Sequence, residues 1–209
     1  MVKDSIKLGI DSGGFGIRSY QSTDLSALYQ ICLQTGDNGN DATELIDKDL
    51  LGHIFAAPYA ISEPQHTHLL TFDDQVCGYI LGTANTQEFV DFCEKSWWPA
   101  LRLQYAVPDP EDNSVESIMK AIIHKGLKCP AFVDQYPAHL HIDLLPIAQG
   151  KNLGSKLINH FCECLAAEGT TGVHLGVSKA NLRAVSFYLK YGFEVIDESE
   201  SELIYAKSL

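Results

Sequence analysis

The sequence predicts an α/β fold, a mixed and strongly twisted sheet of about seven strands flanked by helices, with a helical insertion before the fourth strand. Three observations carry the prediction. In residues 136–157, His139, His141 and Asp143 alternate with Leu140, Ile142 and Leu144, the period of a strand. A glycine-bearing turn follows, and then apolar residues at Leu153, Leu157, Ile158, Phe161, Cys162 and Leu165 repeat at helical spacing. A second strand-to-helix unit lies downstream, where the apolar run 172–177 precedes a helix opening at Asn181. Upstream, residues 66–72 and 76–83 read as two strands joined at Asp73-Asp74-Gln75, a hairpin turn.

The remaining elements follow in chain order. Residues 1–14 are expected to form a flexible lead-in, with Gly9-Ile10-Asp11-Ser12-Gly13-Gly14 as linker, and residues 15–209 a single domain. Residues 15–20 read as the first strand. Ser22 or Thr23 is expected to cap a helix carrying Leu25, Leu28, Tyr29, Cys32 and Leu33. After a turn-rich loop at 36–41, Thr43 is expected to open a second helix that runs to Ala57 and is closed by Pro58. Residues 86–105 read as helical, bearing Phe89, Phe92, Trp97 and Trp98, with Pro99 marking a break or a new start. The aromatic density there predicts packing over the sheet. Ser114 caps a further helix with Val115, Ile118, Met119, Ile122 and Ile123 apolar, and residues 125–136 are irregular. Residues 86–135 are thus the insertion. Pro146 ends the fourth strand because it has no N–H to donate. Short strands at 194–196 and 203–206 close the sheet.

The turn Gln149-Gly150-Lys151-Asn152-Leu153-Gly154-Ser155 joins a strand to a helix N-terminus. The first helical N–H groups have no intrahelical partner and the helix dipole favours negative charge there, so a diphosphate is the natural guest. Three residues separate Gly150 from Gly154, and Ser155-Lys156 stand in the reverse of the order a P-loop requires. The dinucleotide pattern G-x-G-x-x-G is also absent.

The turn instead resembles the pyrophosphate loop of the GNAT-type N-acetyltransferases, Arg/Gln-x-x-Gly-x-Gly/Ala. Gln149 and Gly154 match its ends, and Asn152 replaces its central glycine. Asn is the non-glycine residue that best tolerates a left-handed backbone, which lets the turn survive. Asn181, followed seven residues later by Tyr188 and closed by Gly192-Phe193, resembles that family's second motif. Residues 97–105, 136–143 and 172–177 together resemble the acetyltransferase-like C-terminal domains of eukaryotic O-GlcNAcases and their stand-alone bacterial relatives, over residues 15–209.

The resemblance implies acetyl-CoA as cofactor and acetyl transfer to a primary amine, carried by a small molecule or a peptide. It implies cofactor contacts from the backbone of Ile142, Asp143 and Leu144. It implies further contacts from Gln149, Gly150, Lys151, Asn152, Leu153, Gly154 and Ser155, and from Asn181 and Tyr188. Tyr188 stands where the family keeps its acid. The first two helices and their loop would line the acceptor pocket. Where some members place a basic glutamate, this chain has Gly176. Asp143 is the substitute, with two readings open: a base, if burial raises its pKa, or a structural hydrogen-bond acceptor. His139 and His141 share its face, and His174 sits on the neighbouring strand. The resemblance equally admits a catalytically silent module that binds CoA or a protein.

His66-x-His68 and His139-x-His141-x-Asp143 are chemically suited to zinc. Local spacing supplies no further ligand, and no metal is expected. The formal net charge of -12 argues against nucleic acid and anionic membranes as partners. The six cysteines form no C-x-x-C pair, and no apolar run reaches the length of a membrane span or a signal peptide, so the reducing cytoplasm is the expected location. A homodimer is compatible with all of this.

Overall fold

The computed structural model describes residues 5–7 and 14–209. Eight strands form one sheet: β1 (Ser5–Lys7), β2 (Phe15–Ser19), β3 (His68–Phe72), β4 (Gln75–Thr83), β5 (Ala138–Leu144), β6 (Gly172–Ser178), β7 (Glu194–Glu198) and β8 (Glu202–Ser208). Their order is β1-β2-β3-β4-β5-β6-β8-β7. Every pairing is antiparallel except β5 with β6. Seven strands match the expected set. The eighth, β1, comes from the stretch read as a lead-in; residues 8–13, with most of its glycine run, lie outside the described residues.

Strand alternation sorts side chains into two cores. In β4, Tyr79 and Leu81 point to one face and Ile80 to the other. The first face is covered by α1 (Leu25–Thr35), α2 (Leu50–Phe55), α3 (Ala57–Ser62), α4 (Thr86–Phe92), α5 (Trp98–Gln104) and α6 (Val115–Lys125). The second is covered by α7 (Leu153–Ala167) and α8 (Leu182–Tyr191). The insertion thus packs over the sheet, with the Trp98 side chain fully buried in the first core.

Four local expectations change, each for a physical reason. Neither Ser22 nor Thr23 caps α1. They lie in a 3-10 turn, where Asp24 accepts from the Gln21 N–H at 2.8 Å and pairs with Arg18 at 2.7 Å. Thr43 opens no helix, because its N–H is taken by Asp41 Oδ1 at 2.8 Å and the Asp49 N–H by Asp47 Oδ1 at 3.0 Å. Such local bonds compete with helix formation. Pro58 does not close a helix but lies in the first turn of α3, where a missing N–H costs nothing. His66 is in a 3-10 turn rather than on β3, so His66 and His68 do not share a strand face. The hairpin is as expected but tighter: Phe72 pairs with Gln75, and Asp73 and Asp74 both take positive φ (46° and 64°).

Candidate active site

β6 pairs with β5 only at Ala138↔Val173 and His139↔His174, and the strands then part. On its other side β5 stays in register with β4 as far as Gly78↔Leu144. The Leu145 N–H donates to Cys77 O at 2.9 Å. Antiparallel alternation then makes Tyr79/Asp143 a bonded pair and turns the backbone groups of Ile142 and Leu144 the other way, into the gap. The three residues expected to pair with the cofactor are therefore not equivalent. Asp143 spends its backbone on β4 and offers only its side chain, whereas the Ile142 N–H lies beyond the last β5–β6 pair and has no ladder partner among the described strands. The Leu144 carbonyl accepts from Gln149 Nε2 at 2.7 Å.

The turn lies at the end of this gap. Asn152 is left-handed (φ 59°, ψ 18°), as the glycine it stands in for would be, and its side chain caps nothing. Among the described residues, no side chain caps the N–H groups of Leu153, Gly154 and Ser155 in the first turn of α7. A Cβ at Gly154 would lie 3.3 Å from Phe187 and 3.6 Å from Leu144, so this glycine lets α7 seat against α8 and β5. Gly150 and Lys151 form the exposed outer part of the turn. Gln149 braces the turn rather than facing a ligand: it donates to Leu144 and accepts from the Arg183 guanidinium.

Arg183, which sequence reasoning did not single out, stands beside the turn. It lies two residues after Asn181 in the first turn of α8, exposed, between the turn and the loop after α1. That loop comes close enough that a Cβ at Gly39 (φ 89°) would meet Arg183 Nη2 at 2.8 Å. A cation two residues beyond the Asn of the second motif was the available signal. Asn181 caps α8, its Oδ1 accepting from the Ala184 N–H at 3.1 Å, which leaves its amide NH2 to face a ligand.

Below the gap, on the first face, runs a line of polar groups. Thr86 Oγ1 donates to Pro137 O at 2.7 Å, so its contact with His139 Nδ1, also 2.7 Å, needs the proton on that nitrogen. His139 Nε2 then accepts from Tyr59 Oη at 2.8 Å, and Tyr59 in turn accepts from His141 Nε2 at 3.1 Å. This bookkeeping leaves Nδ1 of His141 as a bare acceptor. Burial pushes His141 down to about 4, and His139 and His174 down as well, so all three are neutral at pH 7. His174 does face the same cleft, its ring centroid 5.5 Å from that of His139, with Nδ1 donating to Tyr136 O at 2.8 Å.

Asp143 Oδ2 accepts from Tyr79 Oη at 2.6 Å. Burial raises the carboxyl above its ordinary value, against the opposing effect of that hydrogen bond. Both readings of Asp143 thus have a physical basis: it accepts a structural hydrogen bond, and its raised pKa is the shift a base would need. Tyr188 comes from the second face, packed against Phe187, Phe193 and Tyr205. Burial raises its phenol, with the Asp143 charge as a second cause. Its hydroxyl has no hydrogen-bond partner among the described residues. A cavity of about 590 Å³ between α1 and the turns before α2 is lined by Tyr29, Lys48, Asp49 and His53; no residue of the β5–β6 gap lines it.

Comparison with known proteins gives concordant findings. Residues 126–193 match the model of the acetyltransferase (GNAT) family. The crystal structure of SsHAT is similar at 34% identity and a TM-score of 0.86, over 93% of this chain and 98% of that one. Protein O-GlcNAcase of Rattus norvegicus is 26% identical over 185 residues, 87% of this chain. The chain spans only 20% of the length of that relative. The structure of yncA from Salmonella typhimurium with its cofactor acetyl-CoA shares the fold (TM-score 0.55, 11% identity, covering 93% and 94% of the two chains).

Proposed function

Because this chain belongs to the GNAT acetyltransferase family, we propose that it moves an acetyl group from acetyl-CoA to a primary amine at the open edge of β5. The observation that carries the proposal is the coincidence, at one gap, of a strand N–H, a helix N-terminus and a phenol that no described residue engages. When bound, acetyl-CoA supplies an activated thioester. The N–H groups of residues 153–155 receive its diphosphate, and the guanidinium of Arg183 adds charge beside it. The Ile142 N–H polarises the carbonyl and holds the oxygen as negative charge develops. The Asn181 amide orients the pantetheine arm. Tyr188 hydrogen-bonds the departing sulfur; a phenol of raised pKa stabilises the growing charge as a donor rather than by full protonation. Asp143, its pKa raised by burial, takes the amine proton.

The experiment has two stages. CoA should raise the melting temperature of the protein, and a panel of small amines and amine-bearing peptides should then release thiol from acetyl-CoA. With an acceptor in hand, Tyr188→Phe should lower turnover by roughly 10²-fold, the lower range for positioned acids, with CoA affinity nearly unchanged. Full turnover in that variant would remove Tyr188 from the mechanism. An unchanged rate in Asp143→Asn together with a slow His141→Asn would move the base to the bare Nδ1 of His141.

Two observations favour a second reading, a silent CoA-binding module. The Asp143 carboxylate is already held by Tyr79, and Gln149 is spent on Leu144 and Arg183. A CoA-dependent melting shift with no thiol release across the panel would select it.

A further inference from the structure

On the opposite face of the sheet from Asp143, three donors converge that acetyl transfer does not use. His68 projects from β3 towards α7, where His160 and Cys164 stand one helical turn apart. One ligand atom from each residue lies within 4.8 Å of the others. Cys164 Sγ is 4.0 Å from His160 Nε2, and the two imidazole centroids are 4.4 Å apart.

His68 is the independent sign that this cluster receives something. It is only 5% exposed, and neither of its ring nitrogens has a hydrogen-bond partner among the described residues. A buried polar group normally finds one, because leaving it unmade forfeits its hydration without return. The edge-on contact with His160, the ring planes 76° apart, does not supply it.

We propose that His68, His160 and Cys164 bind a divalent transition metal, zinc by donor set, which clips α7 onto β3. Two imidazoles and a thiolate suit zinc, and tetrahedral coordination at zinc's bond lengths puts donors about 3.5 Å apart. The observed spacing therefore needs only a small side-chain contraction. His160 and Cys164 are half-buried, which gives the ion a way in from solvent. Binding releases the thiol proton to solvent and leaves the thiolate on the metal. Next to the site, the carboxylates of Glu63 (2.8 Å) and Glu168 (3.0 Å) are taken up by His66. The sequence pattern His66-x-His68 pointed at the right strand but the wrong partners. The clip holds the far end of the helix whose first turn forms the diphosphate site, and it touches none of the groups assigned to acetyl transfer.

The test uses chelated full-length protein titrated with Co²⁺ and with Zn²⁺. One equivalent of Co²⁺ should give a thiolate-to-metal charge-transfer band in the near ultraviolet, and Zn²⁺ should displace it and raise the melting temperature. Cys164→Ser, at a half-exposed position, should abolish the band and weaken zinc at least tenfold, and His160→Asn should weaken it similarly. Cys162→Ser should keep both band and affinity. A missing band in the parent protein overturns the proposal, as does a band or zinc affinity that survives Cys164→Ser. The melting shift produced by CoA is read separately, so failure of the metal site does not count against the acetyl-transfer reading.

Discussion

Asp143 shows how much of the site's chemistry is set by one side chain's surroundings. Its folded-state pKa is raised, mainly by burial. A carboxyl raised in this way contributes stability that is complete below its unfolded pKa of about 3.9 and is lost as pH rises through the folded value. Asp143→Asn removes the titration and leaves an amide oxygen for Tyr79. The melting temperature of the variant relative to the parent should therefore increase on going from about pH 4 to pH 7. A difference that grows on acidification instead would mean that the Tyr79 hydrogen bond outweighs desolvation. Asn152 is the other instructive residue. At φ 59° it occupies the conformation glycine takes freely. Asn152→Gly should thus keep or improve CoA affinity; a tenfold loss, about 1.4 kcal/mol, would make the Asn side chain a ligand contact.

At the scale of elements, the strand–turn–helix unit of β5 and α7 concentrates the proposed cofactor chemistry. Gly154 separates two effects there. Gly154→Ala places a Cβ at 3.3 Å from Phe187, a contact the ring can relieve by a few tenths of an ångström. Gly154→Glu adds a negative charge where the phosphates approach. CoA should still raise the melting temperature of the Ala variant and fail to raise that of the Glu variant. If both respond like the parent, the diphosphate binds elsewhere. The gap itself arises because β6 leaves β5 after His139↔His174 and continues along β8.

For the whole molecule, the sheet divides two chemistries. The proposed acceptor-side groups, His139, His141 and Asp143, lie under α1–α4, while α7 and α8 cover the other face, where His68 of β3 meets α7. Phe161, on the inner side of α7, is fully buried. Phe161→Ala should cost about 3–5 kcal/mol of stability, read from a denaturant midpoint, and leave the CoA-induced shift in place. A cost below about 1 kcal/mol would mean that α7 collapses readily onto β4.

The sequence by itself determined the elements whose signals are local. The alternation of 138–144, the apolar stripe of α7, the Asn181 cap and the turn tolerance of Asn152 all follow from side chains acting on their own backbone. Its errors also have local causes. At Thr43 and Ser22 the helical pattern lost to side-chain bonds from Asp41, Asp47 and Asp24, and Pro58 is as well suited to a first turn as to a stop. Only the tertiary structure decided which backbone groups of β5 face the gap, that Gln149 braces the turn while Arg183 stands beside it, that His141 keeps a bare Nδ1, and that His68 meets His160 and Cys164. Each of these depends on strand register or on contacts between residues far apart in the chain, which hydrophobic periodicity does not encode.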